Sequence, residues 1–283
     1  MNGRIWVALL VALLFGCDER TDKGSPVERF GLLETPAGQP LANAAITLAN
    51  NVLGERTPFR LRGTWQKPTA AETRVIVTVY LIDGAAISSA YMVVVPTNCR
   101  CVFIQPAAFS AWMDDHTKRL PQMLQEDTTA VLAFMLLHEI GHIAHGDPGL
   151  FEEAHGGVAL NLDATVQKER ENAADRFAVD QVQAALEDKQ AVDGWLAAVK
   201  MSMTLSGLSF NMSAMRMLEH FGATSLCSRA VFVDSGYSHP NFELRLIVAN
   251  DLLSASPTSG DLLESFLTCR AKPNSGILLQ RER

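Results

Sequence analysis

The chain has 283 residues, 48% of them apolar and 19% charged, a balance that suits a folded globular protein and excludes a largely disordered one. Its net charge of -7 leaves no excess of Lys and Arg to neutralise phosphates and comes without a basic stripe interleaved with aromatics, so nucleic acid is not an expected partner.

At the N-terminus, Arg4 precedes an eleven-residue apolar run from Ile5 to Phe15. That run is too short to span a bilayer and has the length of an export-signal core. It ends in Leu14, Phe15, Gly16 and Cys17, which resembles the bacterial lipobox. The resemblance implies a signal peptide over 1–16, cleavage before Cys17, and a diacylglycerol on the Cys17 thiol. Asp18 resembles the signal that retains lipoproteins in the inner membrane. The expected location is the bacterial cell envelope, with the domain in the periplasm and the membrane met through the N-terminal lipid only.

Residues 17–60 mix Pro, Gly and charge without a sustained period; they are expected as a tether and a loose or short helical lead-in. A single domain is expected over 61–283. The β-rich runs TRVIVTVYLID, SAYMVVVP and CVFIQ between 72 and 105 predict three strands of a small sheet. Asp127 or Thr128 can cap a helix of dense apolar residues that runs to Gly146 and the breaker Pro148. A second helix is predicted from Ala164 to Leu186, and further helices over 190–206, 209–221 and 241–255.

Besides Cys17 there are four cysteines: Cys99, Cys101, Cys227 and Cys269. In an exported protein an even number suggests disulfides. Cys99 and Cys101 alternate along a predicted strand and so point to opposite faces, which makes them poor partners for each other. Each is expected to reach towards Cys227 or Cys269. A four-thiolate zinc site competes with that reading, although paired C-x-x-C knuckles are missing.

The chemistry concentrates in LLHEIGHIAHGD, residues 136–147. On a helix, His138 and His142 sit at i and i+4 and present two imidazoles to one point. Glu139, turned about 100° from His138, can reach a metal-bound water but not serve as a third ligand, which suits a general base. The second helix carries ERENAADRFAVD. Its Glu171 can complete a three-ligand zinc site, one ion per chain, leaving an open fourth position. Asp175, one turn on, can accept a hydrogen bond from a ligating histidine and set its tautomer.

HEIGHIAHGD followed by RENAADRFAVD resembles the HtpX and CAAX-prenyl-protease type of gluzincin zinc metallopeptidases, whose signature pairs H-E-x-x-H with a later E-x-x-x-D. SHPNFELRL, residues 238–246, is similar to the end of those domains. The resemblance spans residues 85–250 and implies His138, His142 and Glu171 as ligands and Glu139 as base. It further implies His239 beside the open side of the metal and Arg245 paired with acids of the second helix. The implied fold is α+β, a predominantly helical zincin-like domain with a small sheet bordering the cleft.

The implied activity is hydrolysis of peptide or protein substrates at the envelope by a zinc-activated water, with one strand of the sheet pairing with the substrate. The alternative is a zinc-binding chaperone or assembly factor that engages envelope partners with little cleavage. His145 lies about 10.5 Å along the helix from His138, too far for one ion to bind both, and is expected at the solvated helix end. Met201, Met203, Met212, Met215 and Met217 are expected mainly as core filler.

Overall fold

The computed structural model describes residues 25–68, 72–83, 92–96, 99–117, 127–149, 164–220 and 242–254. The chain divides into two units, Met1–Leu33 and Glu34–Arg283. In the first, the short helix α1 (Pro26–Arg29) is closed by a capping box: Ser25 accepts from the Glu28 N–H, and the Glu28 carboxylate accepts from the Ser25 N–H.

The second unit is mixed α+β. Helix α2 (Gln39–Leu53) buries Ala42, Ala45, Ile46, Ala49, Val52 and Leu53, a spacing of three and four that keeps them on one face. Gly38 takes φ 80 before the helix, and a Cβ there would stand 2.6 Å from Pro106 Cβ, so both conformation and space require glycine. The stretch expected as tether and lead-in up to residue 60 therefore contributes a 15-residue helix to the core.

Strands β1 (Phe59–Gly63), β2 (Val75–Leu81), β3 (Val93–Val94) and β4 (Cys101–Ile104) form one sheet in the order β1-β2-β4-β3. β1, β2 and β4 are parallel, while β3 runs antiparallel on β4 at one edge. Along β2 the alternation of buried Val77, Val79 and Leu81 with half-buried neighbours matches a two-residue period. The opposite edge is tied down by Asn50 of α2, whose amide donates to Leu61 O and accepts from Leu61 N, both at 2.9 Å. That satisfies a β1 backbone pair that would otherwise offer itself for edge pairing.

Helices α3 (Pro106–Thr117), α4 (Thr128–His145), α5 (Ala164–Glu187), α6 (Val192–His220) and α7 (Phe242–Ser254) complete the unit. Asp127 is the N-cap of α4, accepting from the Ala130 N–H, and Gly146 closes the helix in the left-handed region at φ 71. α6 replaces the two helices expected over 190–206 and 209–221. Ser206 and Gly207 look like a break, but a glycine in a helix costs only about 1 kcal/mol, and Leu205 and Leu208 on either side are buried in the core. Cys99 and Cys101 form a disulfide with their Cα atoms 5.2 Å apart, which corrects the expected pairing. Cys99 lies in a bend before β4 begins at Cys101, so strand alternation does not govern it. Cys17, Cys227 and Cys269 lie outside the described residues.

Candidate metal centre

Every residue of α4 from Ala130 to Gly141 is buried, His138 and Glu139 included. Burying two ionisable groups in an apolar helix requires partners, and α5 supplies them. The two helices meet closely at Gly141, where a Cβ would stand 2.8 Å from Ala174 Cα and 3.0 Å from its carbonyl oxygen. A glycine three residues after His138 and directly before His142 thus lets the backbone of α5 approach, and Glu171, about one turn before Ala174, and Asp175, directly after it, come within bonding distance of the histidines.

The Nε2 atoms of His138 and His142 converge to 3.0 Å. Glu171 closes the triangle, Oε2 at 3.3 Å from His138 Nε2 and Oε1 at 3.4 Å from His142 Nε2. Ligand atoms of these three residues all lie within 4.8 Å of one another, so the group can hold a metal ion. The other ring nitrogens are engaged behind the site: His138 Nδ1 is 2.9 Å from Asp175 Oδ1, and His142 Nδ1 is 2.9 Å from Asp147 Oδ2. Donation from Nδ1 to a carboxylate leaves the Nε2 lone pair facing inward, the arrangement a metal ligand needs.

Arg245 of α7 stands over the acids. Its Nε is 2.8 Å from Asp175 Oδ2 and its Nη1 2.9 Å from Glu171 Oε2, while Nη2 lies 2.8 Å from Asp175 Oδ1 and 2.9 Å from both ring nitrogens of His138. Glu139 Oε2 accepts from the Val95 N–H at 2.9 Å, directly after edge strand β3. Arg170 Nε is 3.6 Å from Asp147 Oδ1. His145 is exposed at the helix end, its ring edge-on to Phe177 with centroids 6.4 Å apart.

Electrostatics favours a cation at this point. Burial works against charge on His142, yet Asp147 and Glu171 raise it to about 10. For His138, burial and Arg245 oppose charge, but Asp175 and Glu171 prevail and its pKa also rises. Burial pushes the Glu139 carboxyl up, with the histidines and the Val95 N–H offsetting part of that. Asp175, despite burial, is held at about 2 by Arg245 and His138. Among the described residues the cluster sets four carboxylates, Glu139, Asp147, Glu171 and Asp175, against two guanidiniums, Arg170 and Arg245. The raised histidine pKa values show the acids drawing positive charge to this point as protons; a metal ion would displace those protons, and with the histidines then neutral the two negative charges that remain match one divalent cation. The donor set of two imidazoles and a carboxylate suits zinc.

Of the residues anticipated from the sequence, His138, Glu139, His142, Glu171, Asp175 and Arg245 come together, while His239 lies outside the described residues. Asp147 and Val95 were not anticipated. The Gly-Asp-Pro step at 146–148 held a usable signal for Asp147, because a glycine that ends a helix turns the next residue back over the last turn. No sequence signal links Val95 to Glu139.

Comparison with known proteins supplies the class: the chain carries a peptidase domain. The family model described as Peptidase U49 matches residues 103–266, more than half of the chain and every side chain of the site just described, the Val95 N–H alone lying before it, and the protein belongs to that family. Neither the curated proteins nor the solved structures gave a match.

Proposed function

We propose that the protein is a zinc-dependent endopeptidase of the gluzincin kind, resembling the HtpX and CAAX-prenyl-protease type. In this reading it is held at the bacterial cell envelope by a lipid on Cys17, with protein or peptide substrates reached on the periplasmic side. The observation that carries the reading is the convergence of His138 Nε2, His142 Nε2 and the Glu171 carboxylate in a peptidase-family domain, with Glu139 next to the first ligand.

When bound, zinc supplies a Lewis acid that polarises the scissile carbonyl and acidifies a water molecule. The protein's own residues do the rest. Glu139, held by the Val95 N–H and with its pKa raised by burial, accepts a proton from the attacking water and passes it to the leaving amine. Asp175 and Asp147 keep both histidines turned inward, and Arg245 holds Glu171 and Asp175 in place. In this scheme His239 steadies the developing oxyanion. Among the described residues β3 is an edge strand whose end is tied to Glu139, so an extended substrate pairing along its outer side would lie beside the base.

Glu139→Gln tests the chemistry. With zinc content unchanged, cleavage of any peptide selected from a library by the wild type should fall by at least about 100-fold; cleavage at the wild-type rate would remove Glu139 from the mechanism.

A further inference from the structure

We propose that Asp147 is a positioning residue for the metal centre: its carboxylate holds His142 at Nδ1 and thereby aims Nε2 at the ion. The inference rests on His142 being a metal ligand, and assigns to the loop after α4 a role that the ligand helices do not fill.

The geometry is local and specific. Helix α4 ends at His145; Gly146 adopts φ 71 and ψ 30, and its N–H bonds back to His142 O and Ile143 O. The Asp147 N–H then bonds to His142 O at 3.0 Å, which folds the chain over the last turn, and Pro148 cannot extend the helix. Asp147 Oδ2 meets His142 Nδ1 at 2.9 Å, with both side chains only 13% exposed. Its second oxygen faces Arg170 Nε at 3.6 Å, and Arg170 is the neighbour of Glu171 on α5. One carboxylate therefore links the second histidine to the helix of the third ligand. The helix end itself gives no reason for an acid here, since a negative charge just past a helix C-terminus opposes the helix dipole. The hydrogen bond to His142 gives one. It mirrors the bond from Asp175 to His138, so each imidazole is oriented by an acid from a different part of the chain.

Zinc affinity of the full chain, measured by competition with a chromophoric chelator, tests this with Asp147→Ala, Asp147→Asn and His142→Ala. Loss of an orienting carboxylate behind a ligating histidine weakens metal binding about 10–100-fold. That loss is expected for Asp147→Ala, with Asp147→Asn, which keeps an acceptor oxygen in place, falling between it and the wild type. In the zinc-loaded wild type, the His142 Nδ1 proton should give a slowly exchanging downfield N–H signal that the alanine variant lacks. Should Asp147→Ala fail to fold, the isosteric asparagine variant carries the same comparison. Wild-type zinc affinity in the Asp147 variants while His142→Ala loses zinc would overturn the role of Asp147 and leave the centre standing. Undiminished affinity in His142→Ala would remove the centre itself, and this role with it.

Discussion

Helices α4 and α5 face each other across the site and are opposite in kind. α4 is buried all round from Ala130 to Gly141, so its two ionisable residues there are the exceptions in an apolar rod. α5 has one buried stripe, and that stripe changes character along its length: Ala178, Val179, Val182 and Ala185 at one end, Lys168, Glu171 and Asp175 at the other. An apolar helix can carry buried histidines only where its neighbour turns acidic, and the site lies where it does. The acids of α5 in turn need a cation, which α7 supplies through Arg245.

Removing that cation should have the largest effect on stability. Arg245→Met leaves Glu171 and Asp175 buried without their guanidinium, and breaking a buried ionic partnership costs about 3–5 kcal/mol. Urea unfolding of the metal-free protein should show a loss of that size, and a loss under about 1 kcal/mol, the worth of an exposed pair, would mean the acids of α5 do not depend on α7.

Next in size is the contact that lets the two helices meet. Gly141→Ala places a Cβ 2.8 Å from Ala174 Cα, a backbone atom that cannot swing away, so the helices must separate. Overpacking of this kind costs about 1–3 kcal/mol. Because Glu171 sits on the displaced helix, affinity for the proposed metal, measured with zinc, should fall together with thermal stability. A variant with lower stability and unchanged affinity would show that the ligand triangle tolerates the shift.

The parts of this arrangement differed in how far the sequence announced them. His138 and His142 were legible from helical geometry alone, and Asp127 from its place before the apolar run. Glu171, Asp175 and Arg245 were found through acid spacing and family resemblance, because nothing local says which face of α5 meets α4. The Asp147 contact depends on the left-handed turn at Gly146, and the Val95 bond to Glu139 joins residues 44 positions apart, which no periodicity encodes. α2 was underread because small residues, Ala42, Ala45 and Ala49, fill much of its buried face and give a weak apolar signal in a segment that also holds Pro and Gly. The methionines divide as well: Met201 is buried but Met203 is 71% exposed, which corrects the expectation of core filler at that position. The side chains of Met212, Met215 and Met217 are outside the description.

The smallest expected effect separates the frame of α4 from its chemistry. Asp127 caps the helix three turns from His138, accepting from the Ala130 N–H at 3.2 Å and pairing with Lys200 Nζ at 2.6 Å. Burial raises its pKa, but Lys200 and the backbone N–H bonds outweigh that and hold it below 3.8. A depressed carboxylate contributes stability that is complete above its unfolded pKa and is lost as pH falls through the folded one. Asp127→Ala should therefore cost about 1 kcal/mol at neutral pH, and the difference from wild type should shrink as the pH drops below about 4. Zinc affinity should not move, since the cap touches neither the histidines nor α5. If affinity fell with the cap, α4 would be fraying as far as His138, and its burial would not be the source of the site's rigidity.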